Sequence, residues 1–278
     1  EARECLIALL SRPEVGAKTT VRGSLLLMIA APCWILGMLD SADKFADEAI
    51  TLARELGERQ GLAWALHTKG LVMSSKGDVV AAEKCYEEAL ALFREVGDEF
   101  GVPLELGNRG VVAMNQGDTR LARTSFEEAL AADRESGNEL QASWHTMNLG
   151  GLVRIQGDYA FAQTLLEESL AIERKFGQKR GVALALLRLG QIAAAQGDYA
   201  SARSLWQDSL KLRRELGEKS GIAFALNNLS SVARLEGDLA TARALAEEGL
   251  KIAREMGSKL LEAESQANLG QIALARGD

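Results

Sequence analysis

The sequence predicts an all-α solenoid built from antiparallel helix pairs, and three observations support this fold class. Short motifs recur every forty residues along the 278-residue chain. Glycine occupies two fixed positions in each unit, as expected where helices end. The chain has only three prolines and 47% hydrophobic residues, so long helices can form and bury a core. A fixed period of this length is the signature of stacked helical repeats.

The Gly-Asp dipeptide marks the junction between the two helices of each unit. It occurs at 77–78, 117–118, 157–158, 197–198, 237–238 and 277–278, with Gly37 one period earlier. Glycine accepts the left-handed backbone that closes a helix, and aspartate suits the positive end of the next one. A second glycine column, from Gly57 to Gly257, closes the second helix. We therefore expect helix A over about 61–76 and helix B over about 79–96 in the first complete unit.

Small residues recur at two positions where helices A and B are expected to approach each other. One column is Ala30, Gly70, Gly110, Gly150, Gly190, Ser230 and Gly270, and the other is Ala42, Ala82, Ala122, Ala162, Ala202 and Ala242. Two helices come close only where their side chains are small. Larger apolar residues, including Leu90, Tyr86 and Trp206, are expected to fill the rest of the packing face.

The period divides the chain, as a single solenoid, into about six to seven repeats. The units are about 21–60, 61–100, 101–140, 141–180, 181–220 and 221–260. Residues 1–16 are expected to be the tail of a preceding helix and a loop, and 261–278 a last helix A without its partner. We interpret the chain as an excerpt of a longer solenoid. The uncharged segment 23–39 is expected to be a buried helix, because it is short for a membrane span and contains Pro32.

The spacing within each unit resembles the tetratricopeptide repeat (TPR) family. The family pattern W-x2-L-G-x2-Y followed by A-x3-F corresponds here to Leu186, Leu189-Gly190, Ala193, Ala202 and Trp206. The closing proline of the family is replaced by an arginine column: Arg54, Arg94, Arg134, Arg174, Arg214 and Arg254. Helix B can therefore continue, which lengthens the unit. Such units are similar to those of kinesin light chain and of the C-terminal repeat regions of bacterial signal-transduction ATPases and transcriptional regulators. The resemblance implies a right-handed superhelix whose A helices line a concave, partner-binding groove.

Composition restricts the partners and the compartment. The formal charge of −7 and the pI near 5.2 argue against binding nucleic acid or an anionic membrane. Cys5, Cys33 and Cys85 show no C-x-x-C spacing, which indicates a reducing compartment without disulfides or a zinc site. No targeting segment is recognisable, so we expect a cytoplasmic protein.

Nothing in the sequence favours catalysis. Acidic pairs such as Glu87-Glu88 recur in one column of helix B, which is typical of a solvated outer face. The arginine column is expected to pair with those acids or with the next unit. The segment 15–20 lacks a glycine that a phosphate loop requires. His67 and His145 have no cysteine or carboxylate at ligand spacing. We predict a protein that is not an enzyme and has no cofactor and no metal site.

The A helices carry the candidate binding columns. One column holds Thr68, Asn108, Asn148, Arg188, Asn228 and Asn268, and another, one turn earlier, holds Trp64, Leu104, Trp144, Leu184, Phe224 and Glu264. Asparagine is a poor helix former, so its recurrence needs an explanation. Its amide could hold the backbone of an extended peptide, as the resemblance to kinesin light chain implies, or tie adjacent repeats together. The bulky residues could likewise anchor a ligand or pack between repeats. Both interpretations stay open.

The leading hypothesis is a non-catalytic protein-interaction scaffold that binds a peptide or partner segment in its groove. The candidate binding residues are Trp64, His67, Asn108, Trp144, Asn148, Arg154, Arg188, Phe224, Asn227, Asn228, Arg234 and Asn268. The arginines favour an acidic peptide or a C-terminal carboxylate, and we expect no nucleic acid and no membrane as partner. One alternative is a sensory domain that binds a small inducer within a larger bacterial ATPase or transcription regulator. Another is a scaffold that self-assembles through its terminal repeats.

Overall fold

A computed structural model describes residues 18–276, and this range contains thirteen α-helices. They are α1 Thr20–Ile35, α2 Leu39–Leu56, α3 Arg59–Lys76, α4 Val79–Val96, α5 Gly101–Gln116, α6 Thr119–Ser136, α7 Glu139–Ile155, α8 Tyr159–Lys175, α9 Lys179–Ala195, α10 Tyr199–Leu216, α11 Lys219–Leu235, α12 Leu239–Met256 and α13 Lys259–Arg276. Odd-numbered helices are the A helices of the repeats and even-numbered helices are the B helices. The predicted all-α fold of paired helices is confirmed.

The helix junctions have the predicted geometry. Gly77 has φ +80°, and its N–H bonds to carbonyls of the last turn of α3. The carboxylate of Asp78 then accepts a 3.0 Å hydrogen bond from the N–H of Ala81 and caps α4. The same cap recurs at Asp118, Asp158, Asp198 and Asp238. The dipeptide at 277–278 and the predicted helix tail and loop at 1–16 lie outside the described residues.

The A helices begin slightly earlier than the sequence predicted. Helix α3 begins at Arg59 rather than at 61, and α13 begins at Lys259 rather than at 261. Glu58 precedes α3 without a side-chain cap, but its carbonyl already accepts from the N–H of Leu62 at 2.8 Å. Because no side chain caps the start of α3, the sequence carries no capping signal there, and the prediction placed its start too late. Helix B at 79–96 is as predicted.

The chain divides into two compact units, and the boundary between them falls within the sequence of α7. The first ends at His145 and the second begins at Thr146. Consecutive helices pack against each other within each unit, and A helices also contact the next A helix, as α1 does with α3 and α11 with α13. Side chains on adjacent A helices can therefore meet, and this positions the candidate binding columns.

Glycine permits close helix packing in the first unit. A Cβ atom added at Gly110 would lie 2.5 Å from Cε1 of Phe126, and one added at Gly70 would collide with the ring of Tyr86. Both rings are fully or almost fully buried. Small residues at 70 and 110 therefore let helices A and B approach closely, as the sequence predicted, and an aromatic ring of helix B fills the space above each of these glycines.

The second unit uses the same arrangement. The ring of Trp206 fills the space above Gly190 and donates from Nε1 to the carbonyl of Leu187 at 2.9 Å. At the equivalent position, the hydroxyl of Ser230 donates to the carbonyl of Ala242 at 2.8 Å. At Gly150 the space is filled by an aliphatic side chain, since a Cβ atom there would lie 3.0 Å from Cγ of Leu166.

Helix α1 is buried on one face only. Leu26, Ile29 and Cys33 are fully buried, whereas Met28 is 56% exposed and Ile35 69% exposed. The expectation of a buried helix is thus correct for half of its surface. Within residues 18–276, no helix combines the length and the apolar character that crossing a membrane requires.

The arginine column pairs with the following unit on the outer helices. Arg54 of α2 contacts Glu88 of α4 at 2.8 Å, and Arg214 of α10 contacts Glu248 of α12 at 2.7 Å. This confirms the predicted pairing for these two arginines. Because all four side chains are about half exposed, each pair contributes roughly 0–1 kcal/mol to stability.

Candidate binding surface of the A helices

His67, Glu105 and Asn108 form one polar cluster between α3 and α5 in the first unit. Nδ1 of His67 is hydrogen-bonded to Oε1 of Glu105, which has no exposed surface. The amide nitrogen of Asn108 lies 3.5 Å from the same Nδ1 atom. The other oxygen of Glu105 has no partner. The two predicted residues His67 and Asn108 therefore meet, around a buried acid that was not among the predicted site residues.

Trp64 lies beside this cluster and contacts three other rings. Its ring makes edge contacts with His67 at 5.5 Å and Phe93 at 5.0 Å, and Phe100 lies at 6.0 Å. Phe93 is fully buried, whereas Phe100 is 51% exposed. Trp64 also lines a cavity of about 370 Å³ together with residues of α1, including Leu27. The indole therefore packs into the core on one side and faces open space on the other.

Trp144 packs within its own repeat and against α5. Its ring contacts the ring of His145 at a centroid distance of 5.0 Å. Both rings occupy the space above Gly107, where a Cβ atom would lie 2.6 Å from Trp144. His145 in turn bonds through Nδ1 to Asp133 of α6 at 2.6 Å. No hydrogen bond or ring contact joins Trp144 to the cluster of His67 among the described residues.

Arg188 and Asn148 meet in the second unit. The guanidinium of Arg188 donates to the carbonyl oxygen of Met147 and, at 3.1 Å, to Oδ1 of Asn148. Asn148 is only 5% exposed, and its Nδ2 atom makes no hydrogen bond. Burial, and then repulsion from Arg154, lower the pKa of Arg188 to about 10. The structure thus brings three predicted residues close together.

Arg154 and Arg234 are half-buried arginines near the ends of α7 and α11. The Nε atom of each is buried and has no hydrogen-bond partner. Neither side chain forms an ion pair with any described residue. The structure places Arg154 near Arg188 but shows no contact between Arg234 and either of them.

Asn227 and Asn268 join α11 to α13. Nδ2 of Asn268 donates to the carbonyl of Asn227 at 3.0 Å, and Ser265 donates from its hydroxyl to Oδ1 of Asn227 at 2.8 Å. Oδ1 of Asn268 accepts from Ser231 at 3.1 Å. These amides connect adjacent A helices, and Asn227 retains one buried, unbonded amide nitrogen.

Asn228 behaves differently from its neighbour Asn227. Its amide nitrogen donates to the carbonyl of Phe224, one turn earlier in the same helix, at 2.9 Å. Phe224 is partly buried and packs against the apolar core of the second unit, near Leu226 and Leu261. Residues of one sequence column therefore make different bonds in different repeats.

Three buried polar side chains were not among the residues predicted from the sequence. Glu105, Asp133 and Ser265 lie at positions where other repeats carry mostly alanine or a different residue type, and all three are buried. The sequence could have indicated Glu105, because its column holds alanine at positions 65, 185 and 225. No group of three or more His, Cys, Asp or Glu side chains in the described part of the chain could hold a metal ion.

The packing of glycine-marked helix pairs defines the class as a TPR solenoid, and comparison with known proteins agrees. Residues 108–278 match the family described as the MalT-like TPR region, and residues 22–95 match the tetratricopeptide repeat. The chain therefore belongs to the TPR family, with a MalT-like TPR region over more than half its length. No curated protein is significantly similar to it in sequence.

Several solved structures share this fold. BtubC (BKLC) from P. vanneervenii is 21% identical, with a TM-score of 0.63 over 79% of this chain and 91% of its own. The apo form of the quorum sensor NprR from B. thuringiensis is 14% identical, with a TM-score of 0.69 over 91% of this chain and 70% of its own. A signal transduction ATPase with numerous domains (STAND) and a TPR sensor, from Pyrococcus horikoshii, is 16% identical, with a TM-score of 0.69 over 96% of this chain and 42% of its own. At such identities the likeness concerns the fold.

Proposed function

We propose that this chain is a non-catalytic protein-interaction scaffold that binds a peptide or partner segment on its A helices. One observation carries the proposal. On the B helices Arg214 is paired with Glu248, whereas Arg154, Arg188 and Arg234 on the A helices have no carboxylate partner among the described residues. The chain carries 39 acidic residues, so acids are not scarce. An acidic ligand segment or a C-terminal carboxylate would supply the missing partner.

The remaining site residues suit the same role. Asn148 and Asn227 each retain a buried amide nitrogen without a partner, and an amide can bond a peptide backbone without reading its side chains. Trp64 and Trp144 are half-buried rings that could receive apolar side chains. We include the other predicted residues as candidates: His67, Asn108, Phe224, Asn228 and Asn268. In this proposal some of them also tie adjacent repeats together, since the two roles are compatible.

A second candidate function is a sensory domain of a larger signalling protein. The match to the MalT-like TPR region favours it, as does the fold shared with a STAND protein that has a TPR sensor. In that setting the same surface would take a small inducer, and the protein would act in the cytoplasm of a bacterium. Binding of a low-molecular-mass ligand without any peptide preference would favour this candidate.

Peptide selection tests the scaffold proposal. A random peptide library displayed on phage is selected on the purified chain, and the enriched peptides are synthesised. Their affinities are then measured by fluorescence anisotropy. We expect Arg154→Glu combined with Arg234→Glu to weaken binding about tenfold or more, because charged partners are lost on the A helices. The matched control, Arg214→Gln on a B helix, should bind as the wild type does. Equal affinities for all three proteins would contradict the proposal.

A further inference from the structure

Arg188 has a site prepared for its side chain on α7. Its guanidinium donates to the carbonyl of Met147 and to Oδ1 of Asn148. A Cβ atom at Gly151 would lie only 2.8 Å from Nη1 of Arg188, so a larger residue there would displace the guanidinium. Equivalent positions in other repeats hold Val111, Gln191 and other residues larger than glycine. Glycine therefore occurs at position 151, where the side chain of Arg188 from the next repeat needs the space. Arg188 is also the only arginine in its column.

The positive charge of Arg188 is not needed to join the repeats. Asn268, in the same column, makes the equivalent bond to the carbonyl of Asn227 at 3.0 Å with a neutral amide. Arginine at this position therefore adds a charge to a contact that asparagine already makes. Burying a charged group costs free energy when no opposite charge replaces the water it loses. The charge requires another explanation.

Arg154 lies one helical turn after Gly151 on α7, and the guanidinium of Arg188 lies over Gly151. The charge of Arg154, after burial, also lowers the pKa of Arg188. Neither arginine forms an ion pair with a described residue, so two positive charges lie close together without an acid. The site also has unused donors: Nε of Arg154 and Nδ2 of Asn148 are buried and unbonded. A guanidinium has five N–H donors, of which Arg188 uses only part.

We propose that Arg154, Arg188 and Asn148 form a binding site for a dianionic phosphoryl group. A single carboxylate would neutralise one of the two charges, whereas a phosphate monoester carries about −1.5 to −2 charges at neutral pH and three acceptor oxygens. Its oxygens match the planar fork of arginine. The group is either free inorganic phosphate or a phosphorylated residue of the bound segment. The second source rests on the proposed scaffold function, and the first does not.

Calorimetric titration of the whole chain with inorganic phosphate, sulfate and acetate tests the site. We expect phosphate and sulfate to bind about tenfold or more tightly than acetate at pH 7.5, since both are largely dianionic. Phosphate affinity should fall several-fold as the pH is lowered to about 5.5, because inorganic phosphate then takes up a proton and becomes monoanionic. Sulfate affinity should change little over the same range. Equal binding of acetate and phosphate would overturn the proposal.

Variants locate the binding to these residues. Arg188→Gln and Arg154→Gln should each weaken phosphate binding about tenfold, because charge-assisted hydrogen bonds are lost. Arg154 makes no hydrogen bond across repeats, so we expect its variant to fold. Phosphate binding can therefore still be tested on it if the Arg188 variant unfolds. Arg214→Gln, on the opposite helix type, is the control and should leave phosphate affinity unchanged. Phosphate affinity that survives replacement of both Arg154 and Arg188 would exclude this site.

A short peptide with one phosphoserine distinguishes the two sources. If it binds about tenfold more tightly than inorganic phosphate, the group belongs to a partner segment; equal affinities support free phosphate as the ligand. Either result supports the phosphoryl site, provided that the arginine variants abolish it. Peptide selection is scored separately. Failure to select any peptide, together with a phosphoserine peptide that binds no more tightly than inorganic phosphate, would remove the scaffold proposal while leaving phosphate binding in place.

Discussion

Nδ1 of His145 lies 2.6 Å from Oδ2 of Asp133, and neither side chain has any exposed surface. The pair joins α6 to α7 within the first unit. The other oxygen of Asp133 and Nε2 of His145 make no hydrogen bond. Gly107 provides the space for the imidazole, since a Cβ atom there would collide with Nε2. The bond between these two side chains is therefore the hydrogen bond that each of them makes in the core, and each keeps one unbonded polar atom.

Breaking this pair from one side should be costly. We expect Asp133→Ala or His145→Ala alone to lower the free energy of unfolding by about 2–4 kcal/mol, because the remaining group stays buried without a partner. The double replacement should lower the free energy of unfolding by less than the sum of the two single replacements. Urea unfolding of the four proteins gives this coupling energy directly. Additive effects would contradict the prediction, and the exposed pair Arg214–Glu248 serves as a control with a coupling of about 1 kcal/mol or less.

The pair His67–Glu105 allows a sharper test, because other repeats show a neutral alternative. The equivalent residues in the second unit are Leu187 and Ala225, which lie in one buried apolar cluster. We expect His67→Leu alone to cost about 3 kcal/mol or more, since Glu105 then keeps a buried carboxylate without its partner. Adding Glu105→Ala recreates the apolar pair and should restore the wild-type stability or exceed it.

Urea unfolding measures the stabilities of these variants. A double variant that remains as unstable as His67→Leu would show that the polar cluster, with Asn108, stabilises the first unit by itself. Peptide affinity measured on the same double variant adds a functional control. If His67 contacts the ligand, binding weakens although stability is restored.

The repeat architecture was predictable because each element depends on local chemistry. The glycine at 77 requires a positive φ, and Asp78 caps the next helix, so both signals are visible within a few residues. The start of α3 was predicted too late, because the turn continues directly into the helix at Arg59 without a capping side chain. Propensity alone cannot place such a boundary.

The candidate site was less predictable, because it depends on which atoms meet across repeats. Asn228 and Asn268 occupy one column, but Asn228 bonds to its own helix and Asn268 bonds to Asn227. The sequence shows that the amide recurs and does not show its orientation. Glu105 illustrates the converse, since its partner His67 lies 38 residues away in sequence. Only the packing of α3 against α5 brings these two side chains together.

Glycine at the close approach of helices A and B should be irreplaceable only where a ring lies above it. Gly110→Ala would place Cβ 2.5 Å from Cε1 of Phe126, so we expect a loss of about 1–3 kcal/mol from forced repacking. Gly61 also lies in an A helix, but a Cβ atom added there would come no closer than 3.7 Å to any neighbour. Gly61→Ala should therefore stabilise α3 by roughly 0.5–1 kcal/mol through helix propensity. Thermal unfolding compares the two variants, and a similar change in both would refute the steric explanation.

The acid Asp43 on α2 should contribute stability that depends on pH. Burial alone would raise its pKa, but hydrogen bonds from Lys69 and Lys76 outweigh burial and lower the pKa below its usual value. Lys69 and Lys76 lie on α3 at 2.5 and 2.8 Å from the two oxygens of Asp43. The folded state therefore holds the proton more weakly than the unfolded state does. The stabilisation is present at neutral pH and is lost as the pH falls through the lowered pKa.

Asp43→Asn removes this contribution and tests its sign. At pH 7 the variant should be less stable than the wild type by about 1 kcal/mol, since the pair is partly exposed to solvent. The difference should shrink below about pH 4, because the wild-type carboxylate is then increasingly protonated. Urea midpoints of both proteins between about pH 3 and pH 7 provide the measurement, with Asp208→Asn, which forms no ion pair among the described residues, as the control. A difference that stays constant across this range would mean that the charge of Asp43 does not stabilise the packing of α2 on α3.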